Sequence, residues 1–129
     1  RGRYGQFHIW HLDADLWVKD LETDSCYALT ATNSPDADSY HTWSSNSRWI
    51  VLASRRDDGN FSRAFIAYFD KNGVCHKAFM LPQKHPDHNT YRMRSYNVPE
   101  LTRTAVPTTH QQLRNAVYDQ EARVATYKE

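Results

Sequence analysis

Glycine and cysteine are scarce in this sequence, whose 129 residues include four Gly and two Cys. With so little glycine, tight turns must rely largely on Asn, Asp and Ser. Cys26 and Cys75 each stand without a second ligand nearby, so a disulfide framework and a four-ligand zinc site are unsupported. The two could pair with each other, but two small residues of an apolar core is the simpler interpretation.

The sequence also lacks an excess of one charge and any long apolar run. Lys plus Arg number 16 and Asp plus Glu number 15, which gives a formal net charge of +1. Such a balance provides no electrostatic footprint for nucleic acid or an anionic membrane. No stretch of about 18 apolar residues is present, so no membrane span is expected, and no signal peptide is visible. Because the chain opens at Arg1 without Met, we expect a fragment of a longer protein.

Short apolar and aromatic segments predict strands, because such side chains favour a pleated, half-buried surface. In the segment 15–21, Leu16 and Val18 should share one face with Trp17 opposite. After a polar turn, residues 26–30 form the returning strand. Residues 48–54 are the strongest strand and are apolar on both faces, so we expect both faces to be covered.

The hairpin pattern occurs a second time. Residues 62–69 and 74–81 are predicted strands, and the turn between them carries an Asn-Gly signal. In each copy a Cys enters the returning strand, first Cys26 and then Cys75. A period of about 40 to 50 residues with several short strands per unit is typical of propeller blades.

Residues 43–56 resemble the blade signature of TolB-like β-propellers, whose general form is Trp-Ser-Pro-Asp-Gly, a basic residue, an apolar strand, and then Ser and Arg. Residues 15–30 resemble the other half of that signature. The positions that carry the resemblance are Asp15, Asp20, Leu29, Thr30, Trp43, Ser44, Asn46, Arg48, Trp49, Ser54 and Arg55.

The resemblance implies structural roles for these residues. Trp43 and Trp49 would supply buried area between blades. Ser44 and Asn46 would fix the turn by hydrogen bonds to local backbone. Ser45, Asn46 and Ser47 replace the family's Pro, Asp and Gly, and we expect Asn46 to adopt the unusual backbone angles of the turn.

The expected fold is therefore all-β, with antiparallel four-stranded propeller blades forming a partial propeller over residues 1–82. A loop and helical tail should occupy residues 83–129. A helix is predicted from Pro107, because Thr109 and Gln112 form a capping-box pattern before apolar residues at helical spacing. These apolar residues are Leu113, Ala116, Val117 and Val124. The tail either docks on the propeller or a neighbour, or is a frayed helix.

The function implied by the resemblance is a non-catalytic module that binds a protein or peptide partner. The stretch is similar to TolB-like proteins of Bacteroidetes-type bacteria, and this resemblance implies a periplasmic or outer-membrane-associated location. No nucleophile elbow, P-loop or dinucleotide fingerprint is present, and no cofactor is expected. The alternatives are the propeller portion of a prolyl-oligopeptidase-like hydrolase whose catalytic domain lies outside this chain, and a purely structural role in an envelope complex.

Two polar clusters remain. His8, His11, Asp13 and Asp15 form H-x-x-H-x-D-x-D, which we interpret as loop residues of a blade rim rather than a metal site. The pair His85 and His88 lacks the Glu of a metalloprotease motif.

Arg55 and Arg56 are interpreted first as solvated or paired charges, and the less favoured alternative is that they bind a partner. His11 and Asp13 are also candidates for partner binding. Fewer than two blades cannot close a ring, so open strand edges could also pair two copies of the chain.

Overall fold

The computed structural model describes residues 7–119, and strands make up most of its regular structure. β1 (Trp17–Lys19) and β2 (Cys26–Ala28) form a two-stranded antiparallel sheet. A four-stranded antiparallel sheet has the order β3-β4-β5-β6. Its strands are β3 (Asp38–Trp43), β4 (Trp49–Ser54), β5 (Arg63–Tyr68) and β6 (Phe79–Met80). This antiparallel, strand-dominated architecture agrees with the predicted all-β class.

The helices are short. A 3₁₀ turn covers His8–Trp10, α1 covers His88–Tyr91 and α2 covers His110–Tyr118. Thr109 caps α2 with the predicted capping box. The Thr109 hydroxyl accepts from the backbone N–H of Gln112, and the Gln112 side chain accepts from the backbone N–H of Thr109. The predicted helical position Val124 lies outside the described residues. No helix within residues 7–119 has the length and apolar character to cross a bilayer.

The two cysteines each follow the turn of a hairpin, but their cross-strand partners are not equivalent. Cys26 opposes Lys19 at the end of β1. Cys75 forms an isolated bridge with Phe69, the residue that follows β5. The repeat aligns Lys19 with Tyr68, so the two pairings differ by one residue, and only Phe79–Met80 of the predicted strand 74–81 forms a strand. The burial of the two thiols differs: Cys75 is buried and Cys26 is exposed, and both are free. The expectation of two core cysteines was wrong for Cys26, because it points away from the four-stranded sheet.

The main core lies between the two sheets. Leu16 is buried and Val18 is partly buried within it, whereas Trp17 is 44% exposed on the other side, as the alternation predicted. The inward residues of β4 and β5 complete this core, because side chains alternate between the faces of a strand. Its buried members are Leu16, Leu29, Ile50, Leu52, Phe65, Ala67, Cys75 and Ala78. Residues 50–54 of β4 are buried on both faces, which confirms the prediction for this strand.

Hydrogen bonds fasten the hairpin β1–β2 to the four-stranded sheet. The Tyr27 hydroxyl donates to the Gly73 carbonyl at 2.9 Å, and the Thr32 hydroxyl donates to the His76 carbonyl at 2.9 Å. Gly73 has a φ of 80°, and a Cβ there would lie 3.3 Å from the Tyr27 hydroxyl. Glycine is favoured at this turn for two reasons: the backbone has a positive φ, and the Tyr27 hydroxyl lies close to where a Cβ would be.

Candidate functional site

An apolar groove lies on the face of the four-stranded sheet opposite the hairpin β1–β2. Three strands contribute large side chains from this face: Trp49 from β4, Ile66 from β5 and Phe79 from β6. Trp43, the last residue of β3, also lines the groove, although it pairs with Ile50 of the core. Phe79 pairs with Ile66 across the ladder, and both alternate with the inward residues of the core. The cavity volume is about 650 Å³. This is the size of cavity that accepts a ligand or a few side chains of a partner.

The groove side chains are accessible within the described chain. Trp43, Phe79 and Leu81 are 37%, 49% and 39% exposed, and Trp49 is half-buried. The expectation that both tryptophans supply buried area between blades stays a prediction. Large exposed apolar side chains on one sheet face are characteristic of a surface that another structure covers.

Edge-to-face contacts fix the orientation of the two tryptophan rings. The Trp43 ring meets Phe69 with centroids 4.9 Å apart, and the Trp49 ring meets Tyr68 at 5.2 Å. Such pairs contribute about 0.5–1.5 kcal/mol beyond the area they bury. The rings are thus held in place before anything binds.

The turn between β3 and β4 sets the spacing of the two tryptophans. The Ser44 hydroxyl accepts from the backbone N–H of Trp49 at 2.9 Å, and Asn46 Oδ1 accepts from that of Arg48 at 3.1 Å. Both hydrogen bonds are of the predicted kind. The unusual backbone angle falls on Ser47, with a φ of 54°, and not on Asn46 as expected. Ser47 is the position that carries glycine in the signature that residues 43–56 resemble.

Leu101, Thr102 and Arg103 form one wall of the groove. Arg103 is the only charged residue that lines the groove among the described residues. The remaining lining is apolar or carries a hydroxyl group: Trp43, Ser44, Ser45, Trp49, Ile66, Phe79, Leu81, Pro82, Leu101 and Thr102. The groove therefore offers apolar area, a few hydrogen-bonding groups and one positive charge.

Buried Arg63 anchors the segment that leads to this wall. Its guanidinium group donates to the backbone carbonyls of Asn89 at 3.0 Å, Arg92 at 3.3 Å and Arg94. The Asp58 carboxylate lies 3.4 Å away and balances the charge. A cation taken out of water needs such partners, and the carbonyls accept from its two Nη atoms, whereas its buried Nε has no hydrogen-bond partner among the described residues.

Two further hydrogen bonds join the same segment to the start of β5. The backbone N–H of Tyr96 donates to the Ser62 carbonyl at 2.9 Å, and the Ser62 hydroxyl bonds to the Asn97 side chain. The first part of the predicted tail is thus attached to the sheet.

Arg56 is engaged within the chain. Its Nη2 atom lies 2.5 Å from Oδ1 of Asp38, a side chain with no exposed surface, and 2.7 Å from the Thr32 carbonyl. Its Nε donates to the Ser54 hydroxyl at 2.8 Å, and its guanidinium group stacks over the Phe65 ring. Binding a partner through Arg56 remains a prediction, and it would require these contacts to be exchanged.

Arg55 also makes contacts inside the chain. Its Nη2 atom donates to the Gly59 carbonyl, and its guanidinium carbon lies 5.0 Å from the centre of the Trp10 ring. Arg56 is therefore a paired charge, as one of the two interpretations of the sequence expected, whereas Arg55 is held by a carbonyl and an aromatic ring. Neither lines the groove.

The other polar cluster lies at the end of the molecule where the 3₁₀ turn meets β3. His11 is half-buried and Asp13 is exposed. Burial raises the pKa of Asp15, and the neighbouring carboxylates of Asp38 and Asp13 raise it further. His8 does not join them, because its ring contacts Tyr40 at 4.9 Å. Within residues 7–119, no three His, Cys, Asp or Glu side chains form a metal-ligand group.

The remaining signature residues serve separate local structures. The Asp20 carboxylate accepts from the Thr23 hydroxyl at 2.7 Å in the β1–β2 turn, and this hydrogen bond lowers its pKa. Leu29 is a core residue and Thr30 is exposed. The Arg48 carbonyl accepts from the N–H of Phe69 at 2.8 Å. Of the signature, only Trp43, Ser44 and Trp49 reach the groove.

No family model, curated protein or solved structure matches this chain. The groove is therefore characterised by its own geometry. Sequence reasoning singled out its two tryptophans but missed Phe79, Leu81, Leu101 and Arg103. Exposed apolar residues at alternate positions near the end of the last predicted strand were the available signal for the first two.

Proposed function

We propose that this chain forms the blades of a TolB-like β-propeller and binds protein partners in the bacterial envelope without catalysing a reaction. A four-stranded antiparallel sheet with sequential strand order is the unit of a propeller blade. The hairpin β1–β2 packs on one face of that sheet, as the outer strands of a preceding blade would. The envelope location rests on the resemblance of residues 15–30 and 43–56 to TolB-like blades.

The observation that carries the binding proposal is the uncovered apolar groove, to which the neighbouring strands β4, β5 and β6 contribute Trp49, Ile66 and Phe79. Protein-binding sites concentrate their energy in a few aromatic and large apolar side chains, with tryptophan prominent among them. Trp43, Trp49 and Phe79 provide such a set on a rigid sheet. Because their positions are fixed by backbone pairing, little ordering entropy opposes binding there.

The chemistry of the groove supports a binding role over catalysis. Its described lining includes no carboxylate, imidazole or thiol group, so it offers no acid–base pair and no activated nucleophile. The hydroxyls of Ser44 and Ser45 have no base beside them in that lining. Ser44 is already committed to the turn, where it accepts from the backbone of Trp49.

A charge placed in the groove tests this proposal. We expect Phe79→Asp to fold, because the side chain is half exposed, and to abolish binding, because a partner would have to bury a carboxylate against apolar surface. Tyr91→Asp is the matched control: Tyr91 is 81% exposed and lies outside the groove lining.

The measurement is capture of envelope proteins by the immobilised chain, quantified by mass spectrometry for the wild type and both variants. The proposal expects the same proteins with the wild type and Tyr91→Asp, and their loss with Phe79→Asp. A captured set that does not depend on Phe79 would contradict the role of the groove. Turnover of a substrate by the purified chain would contradict the non-catalytic role.

A further inference from the structure

Two apolar surfaces of this chain have no partner within residues 7–119: the groove and helix α2. Every residue of α2 is exposed, and Leu113 and Val117 are 55% and 77% exposed. Leu113, Ala116 and Val117 stand three and four positions apart, so they share one face of the helix. We propose that α2 of a second copy docks in the groove, so that two chains exchange helices reciprocally. This inference rests on the proposed binding role of the groove and names its occupant.

The stability of α2 requires a docking surface. The helix spans nine residues, and isolated helices shorter than about 12–15 residues are only marginally formed in water. Its capping box satisfies N–H groups at the first turn and contributes about 1 kcal/mol, which does not offset the cost of nucleation. A well-formed helix with an exposed apolar face therefore derives its remaining stability from contact with another surface.

The dimensions of the helix and the groove agree. A nine-residue helix is about 14 Å long at ~1.5 Å per residue. Four strands spaced by ~4.8 Å span about 14 Å across the sheet. The helix can thus lie across the strands with its apolar face over Trp49, Ile66 and Phe79. The 650 Å³ volume accommodates a few aliphatic side chains between the tryptophan rings and the wall at Leu101.

The charges of the two surfaces also agree. The single charge that lines the groove is the positive charge of Arg103, and no ion pair within residues 7–119 involves it. The last turn of α2 contains no basic residue, so the negative end of its helix dipole is not compensated there. This complementarity orients the helix with its C-terminal end toward Arg103.

The connection between the groove and α2 favours a second copy as the source of the helix. Residues 101–103 form the wall of the groove, and residues 104–109 lead away from it to α2. No residue of α2 lines the groove of its own chain, and every residue of the helix is exposed. In a pair, one twofold arrangement covers both grooves.

The experiment is sedimentation velocity on the full 129-residue chain from about 1 to about 200 µM, because self-association depends on concentration. The wild type is expected to shift from monomer to dimer. Leu113→Asp places a carboxylate on the apolar face and should raise the dimer dissociation constant at least about 10-fold. Asn115→Asp is the control, since it adds the same charge to the opposite face of the same helix and should leave the constant unchanged.

A mixing experiment tests reciprocity. Phe79→Asp has a defective groove and an intact helix, whereas Leu113→Asp has the reverse. Each alone should be monomeric over this range, and an equimolar mixture should regain association through its one intact helix–groove contact. Far-UV circular dichroism checks that both variants retain the fold, which the exposure of both sites leads us to expect.

Three results would overturn the inference: a wild type that stays monomeric at every concentration, equal effects of Leu113→Asp and Asn115→Asp, or a mixture that does not associate. A monomeric wild type that still loses its envelope partners on Phe79→Asp would overturn only the helix exchange. In that case the proposed binding function would stand.

Discussion

The ion pair between Arg56 and Asp38 offers a sharp test of what stabilises the end of the four-stranded sheet where β3 begins and β4 ends. We predict that Arg56→Met destabilises the chain by about 3 kcal/mol. Removing one partner of a buried ion pair costs about 3–5 kcal/mol, because the other charge is left without compensation in a poorly solvated site. Asp38 has no exposed side-chain surface and the Arg56 side chain is 16% exposed, so the pair belongs to that class.

Two details place the expected value at the lower end of the range. Asp38 keeps the hydrogen bonds from the Ser34 backbone N–H at 2.6 Å and from the Ser34 hydroxyl at 2.9 Å, so its carboxylate retains part of its stabilisation. Methionine also preserves most of the aliphatic packing over Phe65. The loss therefore reflects mainly the guanidinium contacts to Asp38, Thr32 and Ser54.

The assay is equilibrium unfolding in urea, followed by tryptophan fluorescence. With a slope of about 1.5 kcal/mol per M, a loss of 3 kcal/mol lowers the midpoint by about 2 M. The control is Arg55→Met. This neighbouring arginine bonds a single carbonyl and stacks on an exposed tryptophan ring, so we expect a loss of only about 1 kcal/mol.

A second variant separates charge from packing. Asp38→Asn combined with Arg56→Met removes the uncompensated carboxylate and should recover part of the lost stability. If Arg56→Met and Arg55→Met unfold at the same urea concentration, or if the double variant is less stable than Arg56→Met alone, the reasoning from burial is refuted.

Three further predictions concern the turns and the thiols. Ser47→Gly should stabilise the chain by about 0.5–1 kcal/mol in urea unfolding, because Ser47 has a φ of 54°, whereas Ser47→Ala should not. Cys26 should react with a thiol reagent in the folded protein, and Cys75 should react only after unfolding, because burial shields that thiol and raises its pKa. The Val74 backbone N–H lowers the pKa of Asp70 below 3.8, so this carboxylate stabilises the fold above its unfolded pKa, and the contribution disappears as pH falls through the folded pKa. Urea midpoints measured down to about pH 3 should fall less steeply for Asp70→Asn than for the wild type.

The sequence predicted what depends on neighbouring residues. The faces of β1 followed from the alternation of Leu16, Trp17 and Val18, and the capping box of α2 followed from Thr109 and Gln112. Both signals lie within a few positions, so local geometry determines the outcome. The turn between β3 and β4 was predicted, but its positive φ was expected at Asn46 and occurs at Ser47. Asn adopts positive φ more readily than Ser, so the residue types pointed to Asn46, although Ser47 aligns with the Gly of the blade signature.

The candidate site was only partly predictable, because distant segments build it. Leu101 and Arg103 reach the groove through the path of the chain after β6, which no periodicity encodes. The structural role of Arg63 could not be predicted from the sequence either. An arginine in a predicted strand suggests a solvated charge, yet backbone carbonyls of Asn89 and Arg92 surround it, and carbonyls carry no sequence signal.

The position of Arg63 links the two faces of the four-stranded sheet. Its guanidinium group belongs to the inner side, but the backbone that it holds continues within a few residues to Leu101 and the wall of the groove on the outer side. We therefore expect the position of the wall to depend on the charge of Arg63, although this residue does not line the groove. An uncharged residue at position 63 would loosen the wall and weaken binding, while every side chain of the remaining lining stayed unchanged.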